Sequence, residues 1–222
     1  MTIGVVGSRG RLGAAILALA GERRVAVGLE RWRGGERRTA PPDVVLDVSH
    51  RSALRDSADL ARALGVALVV GTSGRGADDD ALLRGLADRV PVLVADNFSL
   101  GHFVQARVAE LVARTSRLAG AAEIAVVDRH PVTKRDAPSG TARRLAHLLE
   151  RGGAGAVRVE SLRHGPPVSD HRIALTLDCE TVTIDHAVSG LRAMAAGALL
   201  AAAWAARPVP PGHYTMDDVY AA

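Results

Sequence analysis

TIGVVGSRGRLG, residues 2–13, is the stretch that decides the fold class. Its first half is a short apolar run that ends in glycine, as buried strands of parallel sheets do. Its second half carries Gly7, Gly10 and Gly13 and leads into helical apolar spacing from Leu12 onward. Glycine allows the positive φ of a tight turn and lets a pyrophosphate approach the backbone, where the N–H groups of a helix N-terminus bind it. The stretch therefore predicts a dinucleotide-binding unit.

The rest of the chain extends this unit into two domains. Apolar runs over residues 25–29, 44–48, 67–70 and 92–95 predict further parallel strands, and helical spacing lies between them, as in residues 53–64 and 80–87. This is the pattern of an α/β fold with a Rossmann-like, doubly wound parallel sheet over residues 1–98. A long helix over residues 100–119, a strand over 124–127, a helix over 141–150 and an antiparallel hairpin (173–177 and 181–184) predict a smaller α+β domain over residues 99–188. We expect the helix within residues 189–222 to return to the first domain.

Composition narrows the function classes. Only 3% of the 222 residues are aromatic and the net charge is a dispersed +4, which argues against a nucleic-acid surface and suits a small anion. Cys179 is the single cysteine, so an internal disulfide and a multi-cysteine zinc site are excluded, as in a reducing cytoplasm. The apolar run over residues 193–206 is shorter than the ~20 residues of a membrane span and predicts a buried helix. We expect no signal peptide before the first strand, and a cytoplasmic protein that binds no membrane.

The cofactor remains open between NADH and NADPH. Glu30 ends the second predicted strand, where a carboxylate accepts hydrogen bonds from the adenosine ribose of NADH. Arg31 and Arg33 follow directly, and Arg9 lies inside the glycine turn. Guanidinium groups at these positions are suited to the 2′-phosphate of NADPH.

The strongest chemical signal is DRHPVTKRDAPSGTA, residues 128–142. It resembles the signature loop of the 4-hydroxy-tetrahydrodipicolinate reductase (dihydrodipicolinate reductase) family, roughly Glu-x-His-His-x-x-Lys-x-Asp-Ala-Pro-Ser-Gly-Thr-Ala. The glycine turn is similar to that of the family as well. Further matches follow the chain to near its end: residues 47–50, 70–74, 95–101, 161–163, 170–171 and 183–186.

The resemblance implies a reductase of lysine (diaminopimelate) biosynthesis that transfers hydride from NADH or NADPH to a conjugated cyclic imine or enamine carboxylate. It assigns acid–base catalysis to His130 and Lys134, and carboxylate binding to Lys134, Ser139, Gly140 and Thr141. The implied site contains no metal, and the resemblance makes residues 99–188 the domain for substrate binding and oligomerisation. The residues expected to bind the cofactor, by the resemblance and by their places at the ends of the strands, are Gly7, Ser8, Arg9, Gly10, Arg11, Leu12, Glu30, Gly71, Thr72, Ser73, Ala95, Asp96, Asn97 and Phe98.

The sequence also departs from the family pattern. The second histidine of the signature, a substrate contact in the family, is Pro131; its glutamate is Asp128, followed by the bulky Arg129. The arginine that usually follows the Thr-x-His segment is Leu191, unless Arg192 takes its place. The segment between residues 150 and 161 is short, and in the family it is associated with subunit packing. We expect a homo-oligomer, a dimer or a tetramer.

Three hypotheses follow. The first is a reductase of the lysine pathway. The second, favoured by Pro131, Arg129 and the short middle segment, is a paralogue that reduces another cyclic imine in specialised metabolism. The third is a module that binds NAD(P)H without catalysis.

Overall fold

The computed structural model describes residues 1–21, the backbone of 25–28, and residues 41–116, 123–165 and 169–221. The chain forms two compact units. One consists of Met1–Ser99 with Leu191–Ala222, and the other of Leu100–Gly190.

The strands, in chain order, are β1 (Thr2–Val6), β2 (Val25–Gly28), β3 (Val44–Asp47), β4 (Ala67–Val70), β5 (Pro91–Val94), β6 (Glu123–His130), β7 (Val157–Arg163), β8 (Ser169–Thr176), β9 (Thr181–Val188) and β10 (Gly212–Tyr214). The α-helices are α1 (Arg11–Ala20), α2 (Leu54–Leu64), α3 (Ala77–Ala87), α4 (Leu100–Ser116), α5 (Gly140–Arg151), α6 (Arg192–Ala205) and α7 (Met216–Tyr220).

The first unit is a parallel sheet in the order β10-β5-β4-β3-β1-β2 with helices on both faces. Successive strand side chains point to opposite faces, so one strand serves two cores. Val44 and Leu46 of β3 pack with residues of α1 and α6, whereas Val45 packs with residues of α2 and α3. The predicted Rossmann-like sheet is thereby confirmed. The short edge strand β10 lies in a proline-rich segment that gives no strand pattern, so it was not predicted from the sequence.

Helix α6 is the predicted buried helix. A Cβ at Gly197 would lie 1.8 Å from the carbonyl oxygen of Phe98, so only glycine allows this close approach of the helix. Leu199 and the alanines at 195, 198, 201, 202 and 205 fill the rest of its buried face. Among the described residues, every helix is too short or too polar to cross a membrane.

The second unit is a mixed sheet in the order β7-β6-β8-β9. Strand β7 runs parallel to β6, whereas β8 is antiparallel to both β6 and β9. Helices α4 and α5 supply the core against the inner face of the sheet, together with Ile124, Val126 and Ile173. The predicted hairpin is present as β8 and β9, each longer than expected. Strand β7 was not predicted. It begins within the segment between residues 150 and 161, which is short for the family.

One prediction about this unit was wrong in its boundary. The polar loop was expected to begin after residue 127, but β6 continues to His130 and pairs with β7 and β8 over that extension. The polar side chains of Asp128 and His130 are buried in the strand because they bond to each other and to neighbouring strands.

Candidate active site

The glycine turn of the first unit forms a backbone cradle. Gly7 has φ +83°, and a Cβ there would lie 2.7 Å from the Cα of Ser49. A Cβ at Gly13 would lie 2.1 Å from the carbonyl oxygen of Gly7. Gly10 is the N-cap of α1 and its N–H donates to the Gly7 carbonyl oxygen at 2.9 Å. The turn thus leaves the N-terminus of α1 free of side-chain caps, which fits the pyrophosphate of a dinucleotide.

The other predicted residues of the turn divide by exposure. Ser8 is buried, Leu12 is partly buried, and Arg9 and Arg11 are exposed. Glu30, with Arg31 and Arg33, lies outside the described residues.

Asp47 organises the neighbouring edge of the sheet. Its side chain is fully buried, and Oδ1 accepts hydrogen bonds from the backbone N–H of Ser49 at 2.9 Å, the hydroxyl of Ser49, and the hydroxyl of Thr72 at 2.9 Å. Because Ser49 lies directly against Gly7, this carboxylate connects the ends of β3 and β4 to the glycine turn. Asp47 matches a family motif in the sequence, but no role was predicted for it. An acidic residue that ends an apolar strand was the available signal.

The predicted residues after β4 and β5 divide into buried and exposed ones. The ring of Phe98 packs over Gly71, where a Cβ would lie 2.3 Å from it, and Phe98 is 3% exposed. Ala95 and Thr72 are buried as well, whereas Ser73 and Asp96 are exposed and Asn97 is partly buried. The Oδ1 of Asn97 accepts the N–H of Ser99 at 2.9 Å. Buried Thr72 and Phe98 thus shape this edge of the sheet, while Ser73, Asp96 and Asn97 have surface to offer a ligand.

In the second unit, His130 lies between two partners. Its Nδ1 is 2.9 Å from Oδ2 of Asp128, and its Nε2 is 2.9 Å from the hydroxyl oxygen of Ser169. Asp128 is fully buried and also accepts hydrogen bonds from Ser161 and from Nη1 of Arg163, the latter at 3.1 Å. The histidine is therefore the middle of a carboxylate–imidazole–hydroxyl chain.

The surroundings determine the charge of the first two members. Burial raises the pKa of Asp128, but the hydrogen bond from Ser161 and the charge of Arg163 outweigh it, and that pKa is lowered from its ordinary value. Burial, with the nearby charges of Lys134 and Arg163, lowers the pKa of His130 despite the attraction of Asp128. At neutral pH the pair consists of an aspartate and a neutral imidazole.

The loop after β6 brings Lys134 and the start of α5 into the same unit. The N–H of Lys134 donates to the carbonyl oxygen of Pro131 at 3.0 Å, and its Nζ lies 2.7 Å from Oδ1 of Asp136. The side chain of Lys134 remains 37% exposed. The hydrogen bond from Lys134 lowers the pKa of Asp136. The predicted cation is thus partly exposed and already next to one carboxylate.

Ser139 caps α5. Its hydroxyl oxygen accepts the N–H of Ala142 at 3.2 Å and lies 3.1 Å from Nε2 of His171. Gly140 and Thr141 are the first residues of the helix, whose first turn contains no acidic residue. The positive end of the helix dipole makes this N-terminus suitable for an anion. His171 also makes an edge-on ring contact with His130 at 5.2 Å between centroids, and so connects Ser139 to His130.

Asp128, His130 and His171 place potential metal ligands within 4.8 Å of one another. Each side chain already has a hydrogen-bond partner, and the guanidinium of Arg163 adds a positive charge at Asp128. We therefore interpret the cluster as a hydrogen-bond network. Its members Ser161, Arg163, Ser169 and His171 were not assigned roles from the sequence. The available signal was that Ser161, Arg163 and His171 lie in segments that match the family.

The side chain of Arg129 forms an ion pair with Asp170 and points away from His130. Its Nε lies 2.8 Å from Oδ2 of Asp170, across the β6–β8 pair. Alternation along β6 directs Arg129 to the face of the sheet opposite Asp128 and His130. The substitution at this position therefore gives no argument for a different substrate.

Comparisons with known proteins identify the family of the chain. Residues 1–98 match the family model described as dihydrodipicolinate reductase, N-terminus, and residues 103–220 match the model of its C-terminus. A 4-hydroxy-tetrahydrodipicolinate reductase of Methanocorpusculum labreanum is 33% identical over 193 residues, covering 80% of this chain and 75% of the relative. One of Alkaliphilus oremlandii is 30% identical and covers 99% of this chain and 98% of the relative.

The fold is shared with a solved structure, the dipicolinate-bound dihydrodipicolinate reductase of Paenisporosarcina sp. TG-14. That structure superposes with a TM-score of 0.74 at 16% identity and covers 97% of both chains. The N-terminal unit is accordingly an NAD(P)-binding domain and the C-terminal unit a substrate domain. By sequence along almost its whole length, the chain belongs to the dihydrodipicolinate reductase family and is an oxidoreductase of that family.

Proposed function

We propose that this protein acts on 4-hydroxy-tetrahydrodipicolinate, a cyclic imine dicarboxylate, with NADH or NADPH. Loss of the 4-hydroxyl group as water leaves a C=C bond conjugated with the imine, and this is the bond that is reduced. The observation that carries the proposal is the grouping in the second unit of a partly exposed ammonium, a helix N-terminus without acidic residues and a buried imidazole. These belong to Lys134, to Ser139–Thr141 and to His130. A dicarboxylate needs cationic and N–H donors, and reduction of its conjugated bond needs an acid.

Lys134 and the start of α5 bind the carboxylates in this proposal. The ammonium group of Lys134 attracts one carboxylate as a point charge, in place of its present contact with Asp136. The N–H groups of Gly140 and Thr141 at the positive end of α5 donate to the other. Ser139 holds that helix start in position through its cap.

Lys134, together with His130, supplies the proton to the carbon next to the one that is reduced. The hydrogen bond from Nδ1 of His130 to Asp128 fixes the tautomer and orientation of the ring. The reduced nicotinamide supplies the hydride when it is bound. The glycine cradle of residues 7–13 holds its pyrophosphate, Glu30 the ribose of NADH, and Arg9, Arg31 or Arg33 the 2′-phosphate of NADPH.

A second candidate is a paralogue that reduces a different cyclic imine. It is favoured by Pro131, which has no side-chain donor at the position of the family's second histidine, and by Val132, which follows it with 74% of its surface exposed. Such a loop is less suited to a strongly polar dicarboxylate than one with two histidines.

Steady-state assays test the proposal. The purified protein is mixed with NADH or NADPH and either 4-hydroxy-tetrahydrodipicolinate or a panel of cyclic imines that carry one carboxylate, and products are identified by mass. We expect kcat/KM to be largest for the dicarboxylate. A larger value for a monocarboxylate imine would favour the paralogue. Cofactor binding without consumption of any imine would contradict both candidates and favour a binding module. The homo-oligomer expected from the sequence stays a prediction, which light scattering of the same sample tests.

A further inference from the structure

We infer that Ser169 carries the proton between His130 and the substrate. The inference rests on the proposed reductase function and deepens it by adding a residue that neither the motifs nor the family resemblance singled out. Asp128, His130 and Ser169 form a hydrogen-bonded series, in which both contacts to the imidazole are 2.9 Å.

Hydrogen-bond valence fixes the direction of each bond in this chain. An ionised carboxylate only accepts hydrogen bonds, so Nδ1 of His130 must carry the hydrogen that it shares with Asp128. In the neutral ring, Nε2 then has only a lone pair. The hydroxyl of Ser169 is the donor to that lone pair.

The Asp128 end of the chain is closed to proton exchange. Asp128 has no exposed surface, and its carboxylate also accepts from the hydroxyl of Ser161 and the guanidinium of Arg163. A proton placed on Asp128 would lose these charge-assisted bonds. His130 itself is only 7% exposed and both its ring nitrogens are engaged.

Ser169 is the member of this hydrogen-bonded series that lies nearest the protein surface. It is the first residue of β8 and is partly exposed, unlike His130 and Asp128. Within the described part of the chain, a proton that reaches or leaves Nε2 therefore passes through the hydroxyl of Ser169. A hydroxyl suits this task because it accepts one hydrogen bond while donating another.

The step balances as an acid–base transfer. The ring is neutral at rest, so it first gains a proton at Nε2 from solvent through the hydroxyl of Ser169. This Nε2–H bond then breaks as the proton moves to Oγ of Ser169. The original O–H bond of Ser169 breaks at the same time, and that proton forms a C–H bond at the substrate carbon next to the one that has been reduced. The serine ends unchanged, and the imidazole ends neutral and is protonated again from solvent through the same hydroxyl.

Three variants test the relay. Ser169→Ala removes the hydroxyl, Ser169→Thr keeps it, and Thr176→Ala alters an exposed residue at the other end of β8 as a control. Single-turnover rates with the dicarboxylate imine are measured in mixtures of H₂O and D₂O, so that product release does not mask the proton step. Urea unfolding verifies that each variant is folded.

We expect Ser169→Ala to lower the single-turnover rate about 100-fold, as loss of a proton-transfer group does, with KM changed less than about threefold. The dependence of the rate on deuterium fraction should be curved in the wild type, because two protons move, and linear in Ser169→Ala. Ser169→Thr should keep the curved dependence and a rate within about fivefold of the wild-type rate. Thr176→Ala should match the wild type in both.

If the wild type reduces the imine and Ser169→Ala reduces it at the same rate, the relay is overturned and the proposed function is not. A rate lost equally in Ser169→Thr and Ser169→Ala would overturn it too, since the hydroxyl would not be what matters. A wild type that consumes no imine at all would instead overturn the proposed function, and the relay with it.

Discussion

The hydroxyl oxygen of Ser139 lies 3.1 Å from Nε2 of His171, so the cap of α5 is hydrogen-bonded to the third residue of β8. His171 is 4% exposed, and burial, with the nearby histidines, lowers its pKa to about 4. Its Nδ1 has no hydrogen-bond partner among the described residues. A neutral histidine therefore holds the proposed anion site to the sheet, and this has a consequence for stability.

We expect the free energy of unfolding to fall as the pH is lowered from about 6.5 to about 4, in part because of His171. Its pKa is below that of the unfolded chain, so the unfolded state binds a proton in this range and the folded state does not. Over that range the loss amounts to about 3 kcal/mol for a shift of this size. In the variant His171→Gln this part of the loss should vanish.

Urea denaturation at several pH values measures this difference. His147→Gln, an exposed position on α5, is the control and should show the pH dependence of the wild type. An equally steep loss of stability in His171→Gln would show that other groups are responsible.

Lys134→Ala should slow turnover by about 10²-fold or more and leave cofactor affinity nearly unchanged, because the ammonium group acts on the substrate in our proposal. Steady-state rates and fluorescence titration with NADH or NADPH measure the two quantities. Arg135→Ala removes the neighbouring exposed cation and should retain most activity. Comparable losses in the two variants would indicate a general electrostatic effect, and an unchanged rate in Lys134→Ala would refute the assignment.

Gly13→Ala should weaken NAD(P)H binding at least tenfold. The added Cβ would lie 2.1 Å from the carbonyl oxygen of Gly7, so the turn must shift away from the shape that fits a pyrophosphate. We also expect a loss of about 2 kcal/mol in stability, as overpacking typically causes.

Gly85→Ala is the matched control for that variant. Gly85 lies inside α3, and the position that a Cβ would take there has no neighbouring atom within 4 Å. Alanine should therefore raise stability by about 0.5–1 kcal/mol through helix propensity. Isothermal titration and thermal unfolding measure both variants. Unimpaired cofactor binding by Gly13→Ala would contradict the role of the cradle.

Pro131→His should lower KM for the dicarboxylate imine about tenfold, the effect of one added hydrogen bond to a charged group. The backbone bond from Lys134 to the carbonyl of residue 131 survives the change, since proline contributes only its carbonyl there. Steady-state kinetics with the dicarboxylate and a monocarboxylate imine check the result. If the variant gains nothing for the dicarboxylate but loses activity on a monocarboxylate, the paralogue hypothesis is favoured.

Residues close in sequence could be interpreted without the fold. The glycine turn was proposed from the spacing of its glycines, and Lys134 and Ser139–Thr141 from the resemblance of residues 128–142 to the signature loop of the family. Each proposal thus rested on one continuous stretch of sequence. The role of His130 was harder to read, because the sequence placed it in a loop and the structure places it at the end of a strand.

The partners of His130 come from separate segments. Ser161 and Arg163 belong to β7, which was not predicted: residues 157–160 alternate between apolar and polar, but the alternation breaks at Ser161. Ser169 and His171 belong to β8, which was expected to start only at residue 173. The pairing of β6 with both strands brings these side chains to one face, and no local pattern encodes such pairing.

The sequence alone determined the parallel sheet with its glycine turn and the identity of the signature loop, because strand periodicity, glycine conformation and helix capping are local properties of the chain. The tertiary structure alone decided that His130 is buried between Asp128 and Ser169, and that Arg129 turns away to Asp170. Those outcomes depend on strand register, which sets the side of the sheet that each residue faces and the distant residues that it meets.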